Sequence, residues 1–388
     1  MSITVPAGFV ASGIACGIKP SGDLDLSLVA TADGQPVAAA AVFTTNRMTA
    51  APVLTTAAHL EATGGRVAAI VLNSGNANAA TGTAGRVHAD QMCDAVAAEL
   101  GCEAAEVLVC STGLIGIPLP VETILAGIPE LVAARRADGA VDAAEAMRTT
   151  DTHRKESVVQ RSDVTVAGMA KGAAMLAPNM ATMLAVLTTD AAAEPDALRQ
   201  ILAAGVRDSF NALVVDGCTS TNDTVILLAS GAAGPSPGDT DLAAAVAEVC
   251  ADLAGQMAGD AEGATKVVRV IVTGAASDDQ ARMGARAVAT SQLTKCSWYG
   301  CDPYWGRVAS DLGSAGIEFE PDRLSIAYGE HLVAAGGVAV PHDIDALGTT
   351  MARRHLEVTA HLGLGDGRAT VLTNDLTHAY IDENMGTS

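Results

Sequence analysis

Short apolar runs and polar stretches follow one another along the chain. The apolar runs occupy residues 67–72 (VAAIVL), 107–110 (VLVC), 183–187 (MLAVL) and 267–272 (VVRVIV). Runs of this length, bounded by turn-forming residues, are typical of buried strands. We therefore predict a strand at each of these places.

Other segments have apolar residues at helical spacing and are predicted helices. They cover residues 86–100, 195–209 and 242–257, and the stretch from Ser277 towards Leu293. Gly101 directly follows the first of these segments, as a C-cap does. Pro195 and the acidic residue after it are typical of a helix N-terminus. Ser277 and Gln280 predict a capping box at the start of the last segment.

Strands and helices alternate without a repeat of 20–50 residues and without a Pro- or Ser-rich linker. The stretch 232–240 (AAGPSPGDT) is rich in turn-forming residues but short. We interpret the chain as one large layered α/β unit of one or two lobes.

Composition narrows the class of protein. The 388 residues are 49% apolar, 17% charged and only 3% aromatic, so the core must consist of Ala, Val, Leu, Ile and Met. The net charge of −21 would repel nucleic acid. We found no run of roughly 18 apolar residues and no signal-peptide pattern. The chain is expected to be cytoplasmic, with no membrane or nucleic-acid partner.

The eight cysteines are spread through the chain and are expected to be buried thiols rather than disulfides. Cys296 and Cys301 form the one close pair, but their spacing is loose for zinc, so no metal is expected. The sequence has no GxGxxG, P-loop, GxSxG or HExxH motif. No cofactor is therefore predicted.

Polar stretches end several of the apolar runs. They are NSGNANA (73–79), STG (111–113), TTDT (149–152), MAKG (169–172), DGCTSTNDT (216–224) and GDAEGATK (259–266). Each alone is typical of turns and caps. Together they indicate a site, because layered α/β proteins bind ligands at strand ends.

Residues 177–190 (APNMATMLAVLTTD) place the junction Ala181–Thr182 directly before an apolar run. Thr182 could be an ordinary strand residue, since threonine favours strands. Alternatively, cleavage at this junction would give Thr182 a free α-amine, with a pKa of about 7.7–8.0, as the base for its own hydroxyl. Thr112 and the amide beside Gly113 would then be candidates for an oxyanion hole.

The segment MAKGAAMLAPNMATMLAVLTTDA (169–191) resembles the self-cleavage segment of the ornithine acetyltransferases, also called glutamate N-acetyltransferases, of arginine biosynthesis. The resemblance covers almost the whole chain. It includes FTTNRMTAAPV (43–53), NSGNANAATG (73–82), SFNALVVDGCTSTNDT (209–224), DPYWGR (302–307) and DLTHAYIDEN (375–384).

The resemblance implies cleavage between Ala181 and Thr182 into an α chain (1–181) and a β chain (182–388), an α2β2 heterotetramer and an αββα-like sandwich. Thr182 matches the nucleophile, and Thr112 with Gly113 matches the oxyanion-stabilising pair. The substrate-binding positions matched are Thr150, Lys171, Glu262 and Asn384, and Ser388 is the candidate for a terminal substrate contact. Cys218, Tyr304 and a tail that is one residue shorter depart from the family pattern.

The implied reaction moves an acetyl group from N-acetylornithine to glutamate through an acetyl ester on Thr182. Lys171 would pair with a substrate carboxylate and Glu262 with an ammonium group. Acetyl-CoA remains open as a further donor. The alternatives are an N-terminal-nucleophile aminopeptidase or amidase on a similar scaffold, and a non-enzymatic protein that binds a small polar ligand.

Overall fold

A computed structural model describes residues 2–175, 183–234 and 239–385. The chain forms two compact units. The first unit comprises Met1–Asn211 and Cys218–Met257, and the second comprises Ala212–Gly217 and Ala258–Ser388. Division into an α chain and a β chain at residue 181 remains a prediction.

The first unit contains two sheets and six α-helices among its described residues. The strands are β1 (Phe9–Ile14), β2 (Leu26–Thr31), β3 (Val37–Phe43), β4 (Arg66–Val67), β5 (Ala69–Asn76), β6 (Val107–Leu114), β7 (Lys155–Arg161), β8 (Val164–Lys171), β9 (Leu184–Thr189) and β10 (Thr224–Ala229). The helices are α1 (Ala51–Ala62), α2 (Gly82–Leu100), α3 (Val121–Ala133), α4 (Ala140–Ala146), α5 (Pro195–Arg207) and α6 (Asp239–Gly259). One sheet has the order β1-β2-β5-β6 and the other the order β4-β3-β10-β9-β8-β7.

The two sheets of the first unit pack face to face. Ile70 and Leu72 of β5 share a buried core with Val186 of β9, whereas Val71 points to the opposite face and packs with Val96 of α2. Alternation along a strand produces these two faces. Each buried Val, Leu or Ile side chain contributes about 1.5–3 kcal/mol relative to an exposed one.

A helix also covers the outer face of the second sheet. At Gly168 of β8, an added Cβ would lie 2.8 Å from Val249 and 2.9 Å from Leu253, both on α6. Helices thus lie outside both sheets, and the expected αββα-like sandwich is confirmed in the first unit.

In its described residues, the second unit has one six-stranded sheet, in the order β14-β13-β12-β15-β11-β16. Its strands are β11 (Val267–Ala275), β12 (Ser325–Tyr328), β13 (His331–Ala335), β14 (Val338–Ala339), β15 (His355–His361) and β16 (Gly367–Asn374). Its helices are α7 (Asp278–Thr290), α8 (Gln292–Tyr299), α9 (Trp305–Ser314), α10 (Ile344–Met351) and α11 (His378–Asn384). Gly284 of α7 lies against β11, where an added Cβ would be 3.8 Å from Val272.

The predicted strands at 107–110, 183–187 and 267–272 are confirmed, whereas the run 67–72 is divided: Val67 belongs to β4 of the six-stranded sheet, and β5 of the other sheet begins at Ala69. Two strands, β5 and β6, continue into the polar stretches. β5 reaches Asn76 and β6 reaches Leu114. Ser111 Oγ donates to Asn73 Oδ1 at 2.6 Å, and Asn73 Nδ2 donates to the Asn76 carbonyl at 2.8 Å. These polar side chains satisfy one another, so the strands do not end where polarity begins.

The predicted helices are also confirmed, except for the end of the last one. α7 stops at Thr290, and Ser291 accepts a hydrogen bond from the Thr294 amide to start α8. Ser277 caps α7 by accepting from the Gln280 amide. The capping box is wrong in its second half, because Gln280 Oε1 accepts from the Glu318 amide instead.

The structure corrects two expectations from composition. Residues Thr240–Gly259 are long and apolar enough to cross a membrane, although half of this window is buried, as in the core helix of a soluble protein. None of the eight cysteines forms a disulfide, but the predicted burial is correct for only three of them, because Cys218, Cys296 and Cys301 are exposed and Cys16 and Cys102 are half-buried.

Candidate active site

Two predicted site residues meet at strand ends in the first unit. Lys171 is the last residue of β8 and pairs with Leu184 at the start of β9. Its Nζ donates to Thr112 Oγ1 at 3.2 Å. Since the hydroxyl accepts this bond, its own proton is available to a second acceptor, such as an oxyanion. This contact lies beside the strand that follows the predicted cleavage junction.

Gly113 occupies a backbone position that another residue would not tolerate. Its φ is +130°, and an added Cβ would lie 2.3 Å from the carbonyl carbon of Gly75 on the neighbouring strand. Glycine therefore allows β5 and β6 to remain paired at the point where the exposed Gly113 follows Thr112.

Asn222 fixes the ends of β5 and β6 to the loop that precedes β10. Its Nδ2 donates to the Ala77 carbonyl at 2.6 Å and to the Ser111 carbonyl at 2.9 Å. Asn222 is buried, and Ser111 is the residue before Thr112. This side chain therefore helps to position the proposed oxyanion donors.

Asp223 holds the chain directly after the junction. Its Oδ1 accepts from the Met183 amide at 2.6 Å, and the Thr224 amide donates to the Met183 carbonyl at 3.1 Å. The second oxygen, Oδ2, is buried without a hydrogen-bond partner among the residues that the structure describes. Burial raises the pKa of Asp223 well above its usual range.

Asp151, beside the exposed Thr150, lies in a different environment. Its Oδ1 accepts from Lys155 Nζ at 2.6 Å and from the Gly172 amide at 2.7 Å, while its Oδ2 lies 4.0 Å from Lys171 Nζ. Burial opposes ionisation, but the charges of the two lysines and these hydrogen bonds outweigh it and lower the pKa of Asp151 to about 2.

The second unit brings together two other predicted residues. Asn384 Nδ2 donates to Glu262 Oε2 at 2.9 Å and to the Tyr380 carbonyl at 2.9 Å. Glu262 and Tyr380 line a cavity of about 130 Å³, and Lys295 is also part of its wall. Burial lowers the pKa of Lys295 to about 8, and its Nζ donates to the Val215 carbonyl.

Comparison with known proteins identifies the family. The profile of the ArgJ family matches residues 10–386. The chain belongs to the ArgJ family. A relative from Mycobacterium tuberculosis (strain ATCC 25618 / H37Rv), named arginine biosynthesis bifunctional protein ArgJ, is 48% identical over 394 residues, covering 100% of this chain and 96% of the relative. A relative of the same name from Streptomyces avermitilis is 48% identical and is covered over 100% of both chains.

Two solved structures of ArgJ-type proteins are also similar. Arginine biosynthesis bifunctional protein argJ from Bacillus halodurans is 33% identical with a TM-score of 0.50, over 51% of this chain and 96% of that chain. An ornithine acetyltransferase from Mycobacterium tuberculosis, complexed with ornithine, is 47% identical with a TM-score of 0.44, over 46% of this chain and 95% of that chain.

For this ArgJ-family chain, the structure shows where several of the predicted site residues lie. It brings Thr112 and Gly113 next to Lys171 in the first unit, and Glu262 next to Asn384 in the second. Ala181, Thr182 and Ser388 lie outside the described residues. The roles assigned to all these residues remain predictions.

Two of the three departures from the family pattern, Cys218 and Tyr304, lie at the surface. Cys218 is an exposed thiol in the first unit. Tyr304 is the exposed residue before α9, and the Arg307 guanidinium lies 5.9 Å from the centre of its ring. In the second unit, Arg307 thus stacks on Tyr304 as a cation–π contact.

Sequence reasoning missed four buried residues around the first group: Asp151, Lys155, Asn222 and Asp223. Three of them belong to the polar stretches TTDT and DGCTSTNDT, so the signal was present. The sequence did not show which side chains of each polar stretch are buried.

Proposed function

We propose that this chain is a self-processing acetyltransferase of arginine biosynthesis that transfers the acetyl group of N-acetylornithine to glutamate. Family membership over nearly the whole chain supports it, as do two relatives, each 48% identical, that are named for arginine biosynthesis. The observation that carries it is the contact between Lys171 and Thr112, because Lys171 pairs with Leu184, two residues after the proposed nucleophile.

The reaction begins with self-cleavage. The Thr182 hydroxyl attacks the carbonyl carbon of Ala181, the peptide bond becomes an ester, and water hydrolyses that ester. Thr182 then carries a free α-amine that acts as its base. Met183, held by Asp223 and by the Thr224 amide, gives the new terminus a rigid attachment.

Acetyl transfer follows in two steps. Thr182 Oγ attacks the acetyl carbonyl carbon of N-acetylornithine while the α-amine takes the hydroxyl proton. The amide C–N bond breaks, the proton passes to the leaving nitrogen, and ornithine departs. The amine of glutamate then attacks the acetyl ester and regenerates Thr182. Thr112 and the Gly113 amide stabilise the oxyanion in both steps.

The remaining predicted residues bind substrate. Lys171 pairs with a carboxylate and Glu262 with an ammonium group, each through a charge-assisted contact. Thr150, Asn384 and Ser388 complete the amino-acid site. The α chain (1–181) and β chain (182–388) assemble as a cytoplasmic α2β2 heterotetramer that needs no cofactor.

The donor preference is part of the proposal. We expect a higher kcat/KM with N-acetylornithine than with acetyl-CoA, because the net charge of −21 opposes a polyanionic donor. The relatives are named bifunctional, so acetyl-CoA is proposed as a second, weaker donor. Supplying glutamate with each donor separately measures the preference, and equal or higher efficiency with acetyl-CoA would contradict it.

Intact-mass analysis of Thr182→Ala tests the proposed nucleophile. The wild type should give two fragments, and the variant one species of 38.9 kDa. Thr123→Ala, at an exposed position of α3, is the matched control and should be cleaved. Two fragments from Thr182→Ala would show that another agent makes the cut.

Product analysis separates the transferase from the hydrolase. With N-acetylornithine alone, a transferase stops after about one equivalent of ornithine, because the acetyl group stays on the enzyme. Continuous release of free acetate without glutamate would instead identify an amidase.

A further inference from the structure

Three charged side chains are buried together beside the proposed oxyanion donor. They are Asp151, Lys155 and Lys171, of which only Lys171 has appreciable exposure, at 7%. The two lysines share one carboxylate unequally. Lys155 Nζ lies 2.6 Å from Asp151 Oδ1, whereas Lys171 Nζ lies 4.0 Å from Asp151 Oδ2.

Backbone donors fix this carboxylate in place. The Gly172 amide donates to Oδ1 at 2.7 Å and the Thr149 amide donates to Oδ2 at 3.2 Å. Gly172 directly follows Lys171, so the carboxylate of Asp151 also holds the backbone that carries this lysine. Asp151 is positioned before any ligand arrives.

Within these three side chains, one aspartate faces two lysines, and the nearer lysine, Lys155, pairs with it more closely. Asp223 also interacts with Lys171, but burial raises the pKa of Asp223 and so disfavours a second negative charge there. The ammonium of Lys171, which donates to Thr112, is the one directed towards the proposed site.

We propose that Lys155 is the counter-ion of Asp151 and thereby keeps the charge of Lys171 available for a substrate carboxylate. Asp151 and Lys155 are positioning residues that act through Lys171, and the ligand class is an amino acid with a free carboxylate. This inference rests on the proposed function of Lys171. It assigns a role to the buried pair, which touches no substrate.

The unequal sharing explains why both members of the pair are needed. Without Lys155, Lys171 is the nearest ammonium to an ionised Asp151, and pairing would draw its Nζ from Thr112 and from the ligand. With both charges of the pair removed, the Asp151 carboxylate no longer competes for Lys171. A single substitution should therefore harm binding more than the double substitution does.

The test compares Lys155→Met with Asp151→Asn/Lys155→Met in acetyl transfer from N-acetylornithine to glutamate. We expect Lys155→Met to raise the KM for glutamate about tenfold or more, the usual cost of losing a charge-assisted hydrogen bond. The double variant should return to within about threefold of wild type. Intact mass confirms that each protein is cleaved before it is assayed.

A buried lysine elsewhere provides the matched control. Lys266 of the second unit is buried and donates to the Met351 carbonyl at 2.8 Å. Lys266→Met should lower Tm without the tenfold rise in the KM for glutamate. A purely structural role for Lys155 predicts that the double variant is at least as impaired as Lys155→Met, which would overturn the proposal.

The outcomes separate this proposal from the function on which it rests. A wild-type protein without acetyl transfer contradicts the proposed function. An active wild type with an unchanged KM in Lys155→Met contradicts the role of the pair. Where Lys155→Met does not fold, a folded double variant with a near-wild-type KM supports the proposal, and a tenfold rise in that variant overturns it.

Discussion

Two buried aspartates of the first unit have opposite electrostatic environments. Asp151 contacts one ammonium, lies near a second and accepts two amide hydrogen bonds, and its pKa is lowered to about 2. Asp223 accepts from the Met183 amide with one oxygen, while the other is buried without a partner among the described residues, and its pKa is raised. Both carboxylates are buried, so the direction of each pKa shift depends on whether ammonium groups and hydrogen-bond donors stabilise the ionised form.

The lowered pKa of Asp151 predicts an acid-sensitive contribution to stability. The folded-state pKa lies below the unfolded value of about 3.9, so the contribution is complete above about pH 4 and is lost as the pH falls towards 2. Its size is roughly 2–3 kcal/mol. Urea unfolding of wild type and Asp151→Asn/Lys155→Met should show a smaller loss of stability in the variant over this window. Asp366→Asn, at an exposed position, should behave like wild type.

The raised pKa of Asp223 predicts the reverse dependence. The folded protein binds this proton more tightly than the unfolded chain, so the contribution of Asp223 to stability falls as the pH rises above about 4. Asp223→Asn keeps an acceptor for the Met183 amide, and its Tm relative to wild type should therefore increase from about pH 4 to 8. Thermal unfolding across that range measures it, and a difference that does not vary with pH would contradict the prediction.

Thr112→Ala should affect turnover more than binding. The variant loses the hydroxyl that accepts from Lys171 and that we propose donates to the oxyanion. Since the oxyanion develops only in the transition state, kcat should fall by about 10²–10³-fold with little change in KM. Steady-state kinetics measures both parameters, with Thr112→Ser as the control that retains a hydroxyl. Normal kcat with a raised KM would remove Thr112 from this role.

At the scale of elements, the sequence predicted four of the sixteen described strands and four of the eleven described α-helices, because apolar runs and helical spacing report which residues face a core. It did not identify neighbouring strands or the ends of β5 and β6. Those ends depend on contacts between distant residues, such as Asn222 with the Ser111 carbonyl, and a local pattern contains no information about them. For the same reason, the sequence located the candidate site only as a set of polar stretches. It did not show which side chains of those stretches are buried at the site.

The pairing of β5 with β6 predicts a specific cost for a side chain at residue 113. In Gly113→Ala the new Cβ would overlap the Gly75 backbone, at a φ of +130°. Gly116→Ala is the matched control, because its φ is also positive, at +81°, while no described neighbour lies within 4 Å of an added Cβ. We expect Gly113→Ala to lose about 1–3 kcal/mol more in the free energy of unfolding than Gly116→Ala. Equal losses would show that the strands adjust without cost.

At the scale of the whole molecule, the two compact units do not coincide with the two proposed chains. Strands β9 and β10 follow residue 181, yet they lie in the middle of the six-stranded sheet of the first unit, between β3 and β8. Those flanking strands precede residue 181. The proposed cut therefore divides a sheet rather than two domains.

This arrangement predicts that the cleaved fragments stay together. β9 is hydrogen-bonded to β8 and β10, and β10 also to β3, so both fragments contribute to one hydrogen-bond ladder. Native size-exclusion chromatography should show a single complex, and denaturing electrophoresis should show two bands. Uncleaved Thr182→Ala provides the reference elution volume. A β fragment that elutes alone would contradict the shared sheet.

The central place of β9 in that sheet also makes refolding of the cleaved protein different from folding of the intact chain. Before the cut, the sheet forms within one polymer, and its folding rate does not depend on protein concentration. After the cut, the same sheet can be rebuilt only when two separate molecules meet, so refolding becomes bimolecular. Separated fragments should therefore regain the native structure less readily than the uncleaved chain does. The sheet is expected to form before the cut and to persist after it.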